Sequence, residues 1–176
     1  LAVIERDAQP RLVVGAWGET GAVTLHDIEP QGFALRRKLD LPDGDRAGRI
    51  AVGTRHLAIA GLYQPRVYLY DFDLEPVRSP LVVGCKPAEL AFAADDRLIV
   101  GTSDDECGAP VLVFDGQSDY SPRAVYSQHG GAAEAVGFLD DGLAVSAGGP
   151  GNDLHVWHDD ARLGVASATK MCRSVL

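Results

Sequence analysis

The sequence predicts an all-β protein built from about four four-stranded antiparallel sheets in tandem. Two columns of residues recurring at almost one interval predict this, together with short Val-, Leu- and aromatic-rich runs bounded by Gly, Pro and Asp. No window carries the i, i+3, i+4, i+7 apolar stripe of an amphipathic helix.

The first column is a set of leucine-centred runs: Arg11 to Gly15, His56 to Ala60, Arg97 to Gly101 and Gly142 to Ser146. Their leucines, Leu12, Leu57, Leu98 and Leu143, recur at intervals of 45, 41 and 45 residues, and each run ends in a small residue. A polar loop follows each, then a second apolar run: Val23 to Asp27, Val67 to Asp71, Val111 to Asp115 and Leu154 to His158. Here His26, Tyr70, Phe114 and Trp157 form the second column, at 44, 44 and 43 residues, with Asp27, Asp71 and Asp115 directly after the first three. Two independent columns with one period mark a repeat.

Two further strands complete each unit. One precedes the leucine run, over Arg49–Gly53, Glu89–Ala93 and Glu134–Leu139, and in the first unit Leu1 to Val3 fits its end. The other closes the unit, over Phe33–Asp40, Val77–Val83, Arg123–Gln128 and Gly164–Thr169, and is more polar, as an outer edge strand should be. The units span approximately 1–41, 46–84, 86–129 and 132–170, with 171–176 opening a fifth. Four strands in roughly 40–45 residues is the length of one β-propeller blade.

These residues resemble the WD-repeat family, in degenerate form. Its third strand ends in Trp-Asp, with a Gly-His pair about 25 to 30 residues earlier. The fourth unit comes nearest, with His129-Gly130 and Trp157 separated by 28 positions; the pair is inverted, and His158 stands where Asp would follow. The resemblance implies that His129, Ser146 and Trp157 belong to a structural hydrogen-bond network, and that the chain is a partial ring of about six to eight blades. Since a blade buries its faces only against neighbours, the remaining blades are expected from the same or another chain. Closure as a four-bladed ring is the competing expectation. The absence of an initiator Met points to a start inside a longer gene product.

Composition narrows the partners. A net charge of −9 argues against nucleic acid and anionic membranes, both of which need cationic patches. No stretch reaches the roughly 18 apolar residues of a membrane helix. Cys85, Cys107 and Cys172 have no metal-type spacing, and a reducing, cytoplasmic compartment is the default expectation. No phosphate-binding, nucleophile-elbow or zinc motif is present, so neither cofactor nor metal is expected. Asp104, Asp105 and Glu106 read as a solvated hairpin loop, and His26 as a packed, hydrogen-bonded histidine.

Individuality lies in the loops between second and third strands: Trp17 and Glu19; Tyr63, Gln64 and Arg66; Asp104, Asp105 and Glu106; Asn152 and Asp153. In a propeller they share one rim with the connections between blades, which include Arg46, Lys86 and His129. Exposed aromatics are common interface anchors, so Trp17 and Tyr63 are the candidates for binding a protein segment. The functional expectation is a non-catalytic interaction or scaffold module of a larger protein. Two alternatives stand beside it: a sensor domain fused to a catalytic one, and a metal-dependent hydrolase or lactonase using Glu89 and Glu134 in similar positions of two blades.

Overall fold

The computed structural model describes residues 1–5, 9–16, 21–103, 110–139, 143–149, 151–158 and 161–167. Four antiparallel sheets of four strands follow one another along the chain. The first comprises β1 (Ala2–Ile4), β2 (Arg11–Gly15), β3 (Val23–Glu29) and β4 (Gly32–Leu39). The second comprises β5 (Ala47–Val52), β6 (Leu57–Gly61), β7 (Arg66–Tyr70) and β8 (Leu81–Val82). The third comprises β9 (Pro87–Phe92), β10 (Leu98–Thr102), β11 (Val111–Asp115) and β12 (Ser121–Tyr126). The fourth comprises β13 (Ala133–Phe138), β14 (Ala144–Gly148), β15 (Asp153–His158) and β16 (Ala161–Ser167).

Each sheet is a meander in chain order, and the first strands β1, β5, β9 and β13 pack against one another in series. They are therefore the innermost strands, and β4, β8, β12 and β16 lie outermost. The first and fourth sheets show no extensive packing on each other among the described residues.

Middle strands are buried on both faces, which explains their unbroken apolar runs. All five residues of β6, Leu-Ala-Ile-Ala-Gly, are buried, and so are four of five in β7. One layer of core lies between each pair of sheets. Val13, Val23 and Leu25 meet Leu57, Ile59, Tyr68 and Tyr70. Ala58, Ala60, Val67 and Leu69 meet Leu98, Val100 and Phe114. Ile99, Val111 and Val113 meet Val136, Ala144 and Trp157.

The register aligns the two columns in the first three sheets and corrects the fourth, where Ala144 and not the expected Leu143 takes the leucine's place. Leu12 faces His26, Leu57 faces Tyr70, Leu98 faces Phe114 and Ala144 faces Trp157 across the second and third strands. Between third and fourth strands a bulge falls directly before His26, Phe114 and Trp157 in the first, third and fourth sheets. Bulges increase local twist, and here they recur at one register position.

One expected strand is corrected. The fourth strand of the second unit does not run from Val77 to Val83; it is Leu81–Val82, plus an isolated bridge between Tyr70 and Pro76. Pro76 and Pro80 have no N–H for the ladder, so pairing breaks between them. The segment expected to open a fifth unit, 171–176, lies outside the described residues.

Candidate functional rim

The loops between second and third strands are fastened to the connections between sheets. Leu62 N donates to Arg46 O at 2.8 Å, Ser103 N to Lys86 O at 2.9 Å and Gly149 N to Ala132 O at 2.7 Å. In the second, third and fourth sheets a hairpin is thus clamped to the segment leading into its own innermost strand. Close approach demands glycine at the ends of the second strands. A Cβ on Gly101 would stand 2.3 Å from Ala133 O, and one on Gly148 (φ +152) 2.3 Å from Ala132 O. In the second and fourth sheets the small terminal residues are therefore Gly61 and Gly148, just beyond the expected Ala60 and Ser146.

Directly below the clamps, the innermost strands bulge. The ladder skips Gly48 in the second sheet, Ala88 in the third and Glu134 in the fourth. A bulge turns one side chain out of the regular alternation, and all three residues line one cleft of about 410 Å³. Arg49, Leu62, Lys86, Pro87 and Ser103 complete its wall. A second cleft of about 340 Å³ adjoins it, with Gly48 and Arg49 common to both and Glu89 in its wall. This corrects the expected equivalence of Glu89 and Glu134. Glu89 pairs with Gly101 in register and matches Arg49, with which it forms an ion pair at 3.3 Å, whereas Glu134 matches Ala88.

The Tyr63 loop is held by a buried carboxylate. Asp45 accepts from Arg46 N at 2.8 Å, Tyr63 N at 2.9 Å and Tyr68 OH at 3.0 Å. Burial, then this hydrogen bond, push the Tyr68 hydroxyl up to about 12, so it stays a donor. Tyr63 itself is 52% exposed, with the Arg46 guanidinium 5.6 Å from its ring centre. Arg66 is ion-paired with Asp43, and Gln64 O accepts from Arg66 N. Asn152 occupies a left-handed turn position (φ 51), with Asp153 opening β15 behind it. Trp17, Glu19, Asp104, Asp105 and Glu106 lie outside the described residues.

The second-column residues lie away from this rim. Ser146 Oγ is 2.7 Å from His129 Nε2 and accepts from Trp157 Nε1 at 3.1 Å, all three side chains buried. Tyr126 stacks on Trp157 at 4.6 Å, and its hydroxyl is 2.8 Å from His155 Nδ1. His129 and His155 stack at 4.0 Å. Burial first, and the neighbouring His155 second, lower the His129 pKa to about 4. His129 is therefore interior, although its chain position is in a rim connection. His26 sits 2.9 Å from Thr24 Oγ1. Asp27 pairs with Arg11 and Arg36, Asp71 accepts from Asp73 N and Glu75 N, and Asp115 accepts from Gln117 N.

At the opposite end of the sheets, Asp96 joins the second and third. It turns at φ 63, is buried, and accepts from Thr54 N at 2.8 Å, Thr54 Oγ1 at 2.6 Å and Arg55 Nε at 2.6 Å. Burial alone would push this carboxyl up; the hydrogen bonds from Thr54 and Arg55 outweigh it and hold it below the usual range. The sequence showed only an Asp95-Asp96 turn, since nothing in it marks a contact with a residue about 40 positions away.

Cys85, between β8 and β9, is disulfide-bonded. No helix among the described residues is long and apolar enough to cross a membrane.

No family model matches the sequence, nor does any curated protein. Solved structures do. A chain in the crystal structure of the mitotic checkpoint complex is similar at TM-score 0.73 and 20% identity, over 95% of this chain and 50% of that one. A chain in the crystal structure of BBS1N in complex with ARL6DN, soaked with mercury, is similar at TM-score 0.73 and 16% identity, over 98% of this chain and 55% of that one. This chain thus spans about half the length of the solved chains it matches. At these identities the likeness speaks for the fold alone: an all-β array of four propeller-type blades.

Proposed function

We propose that the chain is a recognition module whose rim binds a protein segment, with no chemistry of its own. The observation that carries this reading is the rim's construction. An exposed Tyr63 lies against Arg46 on a loop pinned by Asp45, beside a cleft lined by Lys86 and Glu134. An exposed aromatic side chain on a pinned loop, beside charges of both signs, suits a polypeptide ligand, whose affinity concentrates in a few such contacts. Trp17 is proposed as a second anchor. That both solved neighbours come from crystals of complexes supports a protein partner.

The test uses Tyr63→Ala and Lys86→Glu, singly and together, in the tagged protein within its own cells. Partners are captured by cross-linking, identified by mass spectrometry, and measured for affinity with purified components. Each substitution is expected to cost about 1–2 kcal/mol of binding while the circular dichroism and Tm stay unchanged. Unchanged affinity in the double variant contradicts the reading.

A further inference from the structure

Each bulge that shapes the rim cleft lies in the innermost strand of a different sheet. The cleft therefore crosses the second, third and fourth sheets in turn. Its floor is small: Gly48 and Ala88 stand out of the ladder there, and residues without bulk let another main chain come close. Leu62, the neighbour of Tyr63 in the chain, closes the end in the second sheet. Of the three bulged positions, Glu134 alone carries a functional group.

The charges on the cleft wall are of two kinds. Arg49 is satisfied within the chain, paired with Glu89 at 3.3 Å and donating to Gly48 O at 3.0 Å. Lys86 and Glu134 are not. Among the described residues, the Lys86 ammonium and the Glu134 carboxylate have no ion-pair or hydrogen-bond partner, in each other or elsewhere, although both line the same cleft. Lys86 is exposed and Glu134 half-buried. Charge left open in a preformed cleft does little for the fold and much for the choice of ligand.

We propose that the cleft takes an extended polypeptide segment whose acidic side chain seats on Lys86 and whose basic side chain seats on Glu134. Such a segment is a particular case of the rim's protein ligand, and the assignment rests on that reading. The two charges come in a fixed order moving away from the Tyr63 loop. Leu62 follows β6 of the second sheet, Lys86 leads into the third, and Glu134 stands in the fourth. Both signs are needed together. At a net charge of −9 the chain repels a purely acidic segment, while a purely basic one sets like charge against Lys86.

A displayed library of random linear peptides, selected against the tagged gene product as the cell makes it, tests this. The selection is expected to enrich segments holding one acidic and one basic residue at fixed spacing. Synthetic forms should bind Lys86→Glu and Glu134→Lys about tenfold more weakly. On the protein carrying both exchanges, the same peptide with its two charges swapped should regain its affinity. Tyr63→Ala separates this proposal from the rim reading. Binders that weaken on Tyr63→Ala but bind all the charge variants as they bind the wild type overturn the charge assignment and keep the rim. A selection that enriches no segment sensitive to Tyr63, Lys86 or Glu134 overturns both.

Discussion

At the scale of single residues, Ser146 holds two buried donors or acceptors at once, and its removal strands both. Ser146→Ala leaves the Trp157 indole N–H and one His129 ring nitrogen without the partners seen at 3.1 and 2.7 Å. A buried polar group left unsatisfied costs about 1–3 kcal/mol, so urea denaturation of this variant should show a loss on the order of 2–4 kcal/mol with an unchanged m-value. His129 adds a pH dependence. Its folded pKa of about 4 lies below the ordinary 6.5, so the folded chain holds fewer protons than the unfolded chain between these values. Its contribution is therefore complete above about pH 6.5 and is lost as the pH falls towards 4, by on the order of 3 kcal/mol. Stability measured from pH 7 to 4 should fall in that window, and His129→Gln should flatten this part of the profile.

At the scale of elements, each junction between sheets has its own fastening beyond the apolar layer. Arg11 and Arg36 of the first sheet reach Asp73, beyond the end of β7. Asp96 holds the turn after β5 from the third sheet. Asp96→Ala removes a buried carboxylate and leaves the Thr54 donors without their partner, while the exposed Arg55 guanidinium keeps Gly116 O and water; the expected loss is about 1–3 kcal/mol, and Asp96→Asn should recover part of it by calorimetry. Between the third and fourth sheets the constraint is steric. Gly101→Ala places a methyl against a backbone carbonyl, and forcing that contact open should cost about 1–3 kcal/mol, seen as a lowered urea midpoint. The strands themselves were largely legible from residues such as Leu57, Tyr70 and Phe114, because apolar runs bounded by turn residues report burial directly. Less legible was the outer strand of the second sheet, where Pro76 and Pro80 cut the pairing to two residues.

At the scale of the whole molecule, the order of the sheets follows from the near-constant period, but the rim does not. Tyr63 could be picked out as an exposed aromatic from its loop position, whereas the cleft beside it depends on three bulges at Gly48, Ala88 and Glu134. A bulge is a matter of register between two strands, and no single residue type announces it; the mistaken equation of Glu89 with Glu134 came from this. The central claim is that the repeated residues occupy matching places in stacked sheets. Nuclear Overhauser contacts in selectively methyl-labelled protein test it most directly. Phe114 ring protons should contact methyls of Ala58 or Leu69 in the sheet before, and the Trp157 indole those of Ile99 or Val113. Contacts confined within single sheets, or helical chemical shifts at Tyr70, Phe114 or Trp157, would contradict it.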